Sequence, residues 1–533
     1  MKAYKGYLCL VLHAHLPYVR HPEHEYFLEE NWLYEAITET YIPLLDTFSR
    51  LVNDGIGFKV TLSLSPTLAE MLRDSLLNER YKRHIENLVV LSEQEVRRTR
   101  NDVHFGPVAR MYHERFRRIS NLFEDVYNRD IVSAFGALQN EGVIEIIPSA
   151  ATHAFLPNLA QYPGAVKAQI KIGTRYYRKI FGRQPLGFWL PECGYFPGID
   201  TFLRDEGIRY FFLDTHGVMH GQPVPSHGVY APVACASGLA IFGRDPETSQ
   251  QVWSSVQGYP GDAHYRDFYR DAGFDLDLEH IESFLRPFGT RTFTGIKYYR
   301  ITGKTDLKEP YILDHAMVKA REHADNFIMK REYQIGCLSD TMKIRPVVTA
   351  MYDAELFGHW WNEGPEWLYF LLGGIGKRRR NFGTVSPSDF LDLRGIRNGM
   401  QECEPSMSSW GNRGFNEVWL NSANDYIYRH LHKAAERMTR LAEKFTESEG
   451  IPLRALNQAA REVLLAQHSD WTFIMQNNTA SAYAGKRFAE HIAGFSRLYQ
   501  ALVSENIPYQ WLKEVEARNC IFRDIDYRVF RRD

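Results

Sequence analysis

The chain has 533 residues, 44% of them hydrophobic and 24% charged, a balance that excludes a disordered or fibrous protein and predicts a large folded one. With 63 Lys and Arg against 65 Asp and Glu the formal net charge is -2, so nucleic acid is not expected as a partner. Six scattered cysteines without a CxxC pair argue against a zinc cluster or a disulfide framework, and no stretch is long and apolar enough to span a bilayer.

Short runs rich in β-formers predict strands at Tyr7–Leu12, Phe58–Leu64, Val143–Ile147, Leu186–Leu190, Ile208–Leu213 and Val347–Met351. The first of these is too short for a signal peptide, and a cytoplasmic protein without a membrane partner is expected. Helical patterns fall between the strands, most clearly over Leu28–Phe48, Leu68–Arg100 and Tyr112–Gln139. Strand and helix in alternation predict an α/β architecture with a parallel sheet. Residues 68–140, long and charged, read as a helical insertion beside it. Gly373-Gly374-Ile375-Gly376 lacks a phosphate-binding pattern and reads as a turn, and the basic run Lys377-Arg378-Arg379-Arg380 as a solvated loop or helix end. Beyond about residue 395 the strand signal fades. Ile427, Leu431, Ala434, Met438, Leu441 and Phe445 then recur at spacings of four and three, one apolar helix face, and further helical patterns cover 454–470 and 478–503. A catalytic domain over 1–395 and a helical domain over 396–533 that contributes to the cleft are expected.

Titratable residues collect just past the strands: HAHLP after Leu12, PSAATHAFLP after Ile147, PECGY after Leu190, DTHG after Leu213, YDAELFGHWW after Met351. In a barrel such ends converge on one face, where the chemistry sits. Two carboxylates stand out, Glu192 and Asp353, each with tryptophan a few residues away. Such a pair suits glycosidic bond cleavage, one group acting as nucleophile or base and the other as an acid with a raised pKa. Glu355, one alternation on, is a rival for Asp353.

His13 and His15 alternate on one strand, so both rings point to one side. With His153, His216 and His359 at other strand ends they raise a divalent-metal site with Asp353. Neutral histidines bonding sugar hydroxyls fit the surrounding aromatics better. Asp214 shares this setting. The stretch 408–432 sets Trp410 and Trp419 beside Asn412, Asn416, Asn421 and Asn424, which reads either as a carbohydrate-contact loop or as a capping loop around core tryptophans. Asp470, in AQHSDW, could reach the cleft or cap its own helix.

Taken in order, HAHLPYVRHP, ATHAFLP, GFWLPECGY, FFLDTH, MYDAELFGHWWNEG, the late WG…W and SDW resemble glycoside hydrolase family 57 over about residues 10 to 475, nearest its α-1,4-glucan branching enzymes and a related bacterial amylase. The resemblance implies an incomplete (β/α)7 barrel followed by a helical domain. It implies a retaining double displacement on α-1,4-glucan, with no metal and no cofactor. Glu192 matches the family nucleophile and Asp353 the general acid/base, a pair that lies roughly 5–5.5 Å apart in retaining enzymes. His13, His15 and His153 match positions lining the subsite of the cleaved bond. Trp32, Trp410 and Trp419 match aromatic glucan contacts, and Asp470 a residue near the cleft. Asp214, His216 and His359 are added as substrate contacts. Branching members of the family carry a long loop whose tyrosine covers the cleft. The equivalent here, GVMHGQPVPSHG at 217–228, is short and has no tyrosine; Tyr230 comes just after it. A shielding loop favours transfer over hydrolysis. Transfer forming α-1,6 branches is the expected activity, with amylase-type hydrolysis or disproportionation as alternatives and a metal-dependent hydrolase a more distant one.

Overall fold

The computed structural model describes residues 4–254, 257–285, 289–377 and 380–532. Its strands are β1 (Gly6–Ala14), β2 (Val60–Leu64), β3 (Ile144–Ile147), β4 (Gly187–Phe188), β5 (Tyr210–Leu213), β6 (Val233–Ala234), β7 (Ala240–Gly243), β8 (Val347–Asp353), β9 (Phe382–Thr384) and β10 (Gln401–Glu402). Each of the six predicted strands forms. The other four, β6, β7, β9 and β10, have two to four residues each, too few for a pattern.

Seven strands make the barrel. β8, β1, β2 and β3 pair in parallel, and so do β4, β5 and β7. A single parallel bridge, Ser149 to Trp189, links β3 to β4. Between β7 and β8 the ring is held by the Asp245 amide donating to the Thr349 carbonyl at 2.9 Å. β6 pairs antiparallel with β7, and β10 pairs with β6, so the ring is incomplete there. All nine residues of β1 are buried, the continuous apolar run of a strand covered on both faces.

The predicted helical insertion is the crossover from β2 to β3. It holds Pro66–Leu72, Ser75–Arg98, Phe105–Asn121 and Ile131–Asn140, the middle two packed side by side. The stretch Leu28–Phe48 is helical but passes through a π turn at Ile37–Tyr41. The glycines at 373, 374 and 376 form no turn. They lie within the helix Gly364–Lys377, where a Cβ on Gly374 or Gly376 would meet Ile328 or Ile56 at 2.6 or 2.5 Å; close packing, not a bend, requires them. Lys377 ends that helix; Arg378 and Arg379 lie outside the described residues.

β10 lies past residue 395, so strand pairing outlasts the fading signal. Helices Tyr428–Lys444, Gly450–Ala466, Ser469–Asn477, Ser481–Val503 and Tyr509–Arg518 follow. Gly450–Ala466 is the central one, burying Ala, Leu and Val against Ser481–Val503. Its end docks on the loop after β3: the Thr152 hydroxyl donates to the Leu464 carbonyl, and the Ser469 amide to that of His153 at 3.2 Å. That joint carries helix Ser469–Asn477 to the carboxyl ends of the barrel strands. Among the described residues no helix is long and apolar enough to cross a membrane.

Candidate active site

The register of β1 on β2 sets His13 opposite Ser63. His13 Nδ1 lies 2.9 Å from Ser63 Oγ, and two residues on His15 Nδ1 lies 2.8 Å from Ser65 Oγ. Two strands alternating in step thus present two paired imidazoles on one side. His153 completes the group. Its backbone is left-handed (φ 52), which brings its ring over that of His15 with centroids 3.8 Å apart and its Nε2 to 2.9 Å from His13 Nε2. Burial, joined by the neighbouring rings, holds His13 and His153 well below the usual histidine range, so both are neutral.

Glu192 follows β4 in the turn Pro191–Cys193. Glu192 and Cys193 both take positive φ (60 and 50), a conformation costing on the order of 1–2 kcal/mol for such residues. Backbone bonds hold it: Cys193 N donates to Leu190 O, and Trp410 N to Glu192 O, both at 2.9 Å. The turn aims the carboxylate into the cleft, where Oε2 accepts from Trp410 Nε1 at 2.8 Å and Oε1 from Ser469 Oγ at 3.1 Å. Burial pushes the pKa up to about 7, against the pull of those two donors. The Cys193 thiol is buried and pushed up in pKa, a packed neutral neighbour.

Asp353 ends β8 directly in register with His13. Its carboxyl takes no hydrogen bond from the described residues, and burial followed by the Glu355 and Glu192 charges holds it well above the usual range. The two carboxyls therefore differ in kind: Glu192 has donors that favour the anion, Asp353 has neighbours that favour the proton. Glu355, the rival carboxylate, is drawn into the same site. It lines the same cleft and accepts from Tyr41 Oη at 2.5 Å and from His15 N at 3.2 Å.

These residues open on one cleft of about 1060 Å³, which His13, His15, His153, Trp410 and Asp470 also line. The family model Glycosyl hydrolase family 57 matches residues 9–401. The chain belongs to glycosyl hydrolase family 57. A second model, 1,4-alpha-glucan branching enzyme, C-terminal, matches residues 430–530. The crystal structure of the α-amylase AmyC of Thermotoga maritima is 44% identical, with a TM-score of 0.92 over 99% of both chains. That of a family 57 branching enzyme of Pyrococcus horikoshii is 34% identical, with a TM-score of 0.89 over 99% of this chain and 97% of that one. A 1,4-alpha-glucan branching enzyme of Thermococcus kodakarensis is 33% identical over 98% of this chain and 78% of its own length.

Seven of the twelve candidate site residues of this family 57 enzyme line the cleft: the five above with Glu192 and Asp353. Asp470, held well below the usual range by the His15 and His468 rings in spite of its burial, bonds His15 Nε2 at 2.8 Å. The other five are not among its lining residues. Trp419 is 1% exposed and stacks on Phe155 at 4.4 Å, a core residue that no sugar reaches. Trp32 is half-buried with its ring edge-on to Tyr483 at 5.6 Å. Asp214 caps the helix Thr215–Met219 and pairs with Arg244 at 3.4 Å, which in turn lies under the Trp410 ring. His216 bonds the Gly414 carbonyl at 2.6 Å, and His359 the Glu39 carboxylate at 2.6 Å. The amides of 408–432 act as caps and ties: Asn424 Nδ2 donates to the Val418 and Thr472 carbonyls, and Asn421 to backbone within its own turn. The metal arrangement of His13, His15 and Asp353 fails on bonding, since both nitrogens of each ring are already engaged. Among the described residues, ligating atoms of His15, His468 and Asp470 lie within 4.8 Å of one another.

The far wall comes from residues 260–269 and 301–308, which carry little regular structure and gave no pattern. Phe268 stacks on Trp360 at 4.3 Å, and Lys297 Nζ lies 4.8 Å from the centre of the Phe268 ring. Trp360 is 52% exposed and Trp253 46%, leaving two indole faces open to the cleft. The HWW of the Asp353 motif was the signal for Trp360; Trp253 and Phe268 had none.

Proposed function

We propose that this chain is a retaining α-1,4-glucan-active enzyme that transfers the cleaved chain to form α-1,6 branches, a 1,4-α-glucan branching enzyme. The observation that carries the reading is the unlike pair at the strand tips, Glu192 held by two donors and Asp353 by none, on one aromatic cleft. The Glu192 carboxylate attacks the anomeric carbon while Asp353 gives its proton to the departing glycosidic oxygen, leaving a glycosyl ester and a free chain end. Asp353, now a carboxylate, takes the proton of an acceptor hydroxyl as that oxygen attacks the same carbon and Glu192 leaves. A glucan 6-hydroxyl as acceptor makes a branch; water makes hydrolysis. Trp253 and Trp360 offer apolar faces on which glucose rings stack.

The match of residues 430–530 to the branching-enzyme C-terminal model supports transfer. Hydrolysis is the second reading. It is favoured by the 44% identity to an α-amylase and by residues 217–228, none of which lines the cleft. That segment is tied down instead, with Gln222 and Glu404 exchanging backbone bonds. Incubation with amylose decides between them: new α-1,6 linkages by proton NMR well in excess of reducing ends establish the branching transferase. Reducing ends without branch points establish the amylase.

A further inference from the structure

Glu192 stands at the end of a chain of hydrogen bonds that begins on another strand. Ser63 Oγ lies 2.9 Å from His13 Nδ1, His13 Nε2 2.9 Å from His153 Nε2, and His153 Nδ1 2.9 Å from Ser469 Oγ. Ser469 Oγ then reaches Glu192 Oε1 at 3.1 Å. Proton counting fixes the direction. A carboxylate brings no proton, so the Ser469 hydroxyl donates its own to Oε1. Ser469 Oγ must therefore accept from His153 Nδ1–H. A neutral imidazole carries one N–H, which leaves His153 Nε2 to accept from His13 Nε2–H. His13 Nδ1 in turn accepts from the Ser63 hydroxyl. Four donors, each set by the next, all point toward Glu192.

We propose that Ser63, His13, His153 and Ser469 form a one-way relay that aims and stabilises the Glu192 carboxylate, with Ser469 and Ser63 as positioning residues of the reaction. The inference rests on the reading of Glu192 as nucleophile. The groups facing Glu192 are Trp410, Ser469, His153, His15, Asp470, Asp353 and Cys193, with Arg244 beyond Trp410. Asp470 opposes its ionisation, Asp353 carries a like charge whenever it gives up its proton, and His15 favours the anion. The uncharged donors are Trp410 and Ser469. Trp410 gives a single bond, whereas Ser469 is backed by three polarised partners, which strengthens its own bond. The relay also brings no formal charge. An imidazolium here would stabilise the carboxylate but oppose the positive charge that builds on the sugar in an oxocarbenium-like transition state. The fold fixes both ends: the β1–β2 register holds Ser63 to His13, and the Ser469 amide is bonded to the His153 carbonyl.

Two measurements test this. Neutron diffraction from crystals held near pH 8 shows the deuterons directly. Expected are deuterons on His13 Nε2 and His153 Nδ1, and the Ser469 deuteron directed at Glu192; a deuteron on His13 Nδ1, or on Ser469 aimed at His153, overturns the relay. Second, kcat/KM against pH is measured on a soluble maltooligosaccharide for Ser469→Ala, Ser469→Thr and Ser63→Ala. The acid limb moves up by about one pH unit in Ser469→Ala, the size of one hydrogen bond to a charged group. It moves less but in the same direction in Ser63→Ala, and returns in Ser469→Thr. Lower plateaus with unmoved limbs would make both serines mere braces. That outcome leaves the nucleophile reading standing, whereas substantial turnover by Glu192→Gln removes that reading whatever the limbs do.

Discussion

Replacing Glu192 by Gln tests the site by stability as well as by rate. Burial raises this carboxyl from its ordinary 4.5 to about 7, although the side chain is 16% exposed. A shift of about 2.5 units at 1.36 kcal/mol each is about 3 kcal/mol. The sign follows from which state binds the proton more tightly. Here the folded state does, so the group's contribution is whole below about pH 4.5 and lost as pH rises through 7. Above that the wild-type protein carries an ionised carboxylate that costs about 3 kcal/mol, and the neutral amide does not. The Trp410 bond survives, because the amide oxygen still accepts. Unfolding entropy of about 2.1 cal/mol/K per residue over 533 residues converts 3 kcal/mol into a rise of roughly 2–3 °C in Tm. Melting curves at pH 5 and pH 8 should show the variant gaining on the wild type only at the higher pH, while turnover of amylose falls on the order of 10³-fold or more. Equal Tm differences at both pH values would refute the poised carboxyl, and near-native turnover would refute the nucleophile.

Asp353→Asn should lower turnover of amylose by roughly 10²–10⁴-fold but leave the first step on a maltosyl fluoride, which needs no proton, near the wild-type rate. Equal losses on both substrates would remove Asp353 as the acid. Trp360→Ala takes away an open indole face and should raise KM for long glucans roughly three- to tenfold with kcat within about twofold; an unchanged KM argues against stacking there. Gly358 follows Asp353 with φ +113, and a Cβ there would lie 1.7 Å from the Glu39 carbonyl oxygen. Gly358→Ala should therefore lower Tm by at least about 4 °C or prevent folding, and a native melting curve would show that the turn can yield.

The barrel was legible because its long strands are buried on both faces and end in chemistry: GFWLPECGY announces Glu192 and MYDAELFGHWW announces Asp353 before any coordinate is seen. What failed depended on distance in space. Trp410 and Trp419 share one loop and one composition, yet one bonds Glu192 and the other is packed on Phe155. The serines of LSLS at 62–65 look like plain strand alternation, and only the β1–β2 register pairs them with histidines fifty residues away. Ser469 reads as the start of a helix until that helix is seated on the loop after β3. The wall around Phe268 comes from a segment with little periodicity, so nothing local marked it, and Trp253 ends a helix of only eight residues.

The order in which the chain is made bears on when it can act. Glu192 emerges early in synthesis, within a barrel that can begin to pack as its strands appear. The hydroxyl that meets its Oε1 belongs to residue 469, and the indole that meets its Oε2 to residue 410. A chain cut before the C-terminal helices thus has both carboxyls and the Trp410 indole but lacks the Ser469 hydroxyl. The donor that Ser469 brings to Glu192 is therefore among the last parts of the site to be made.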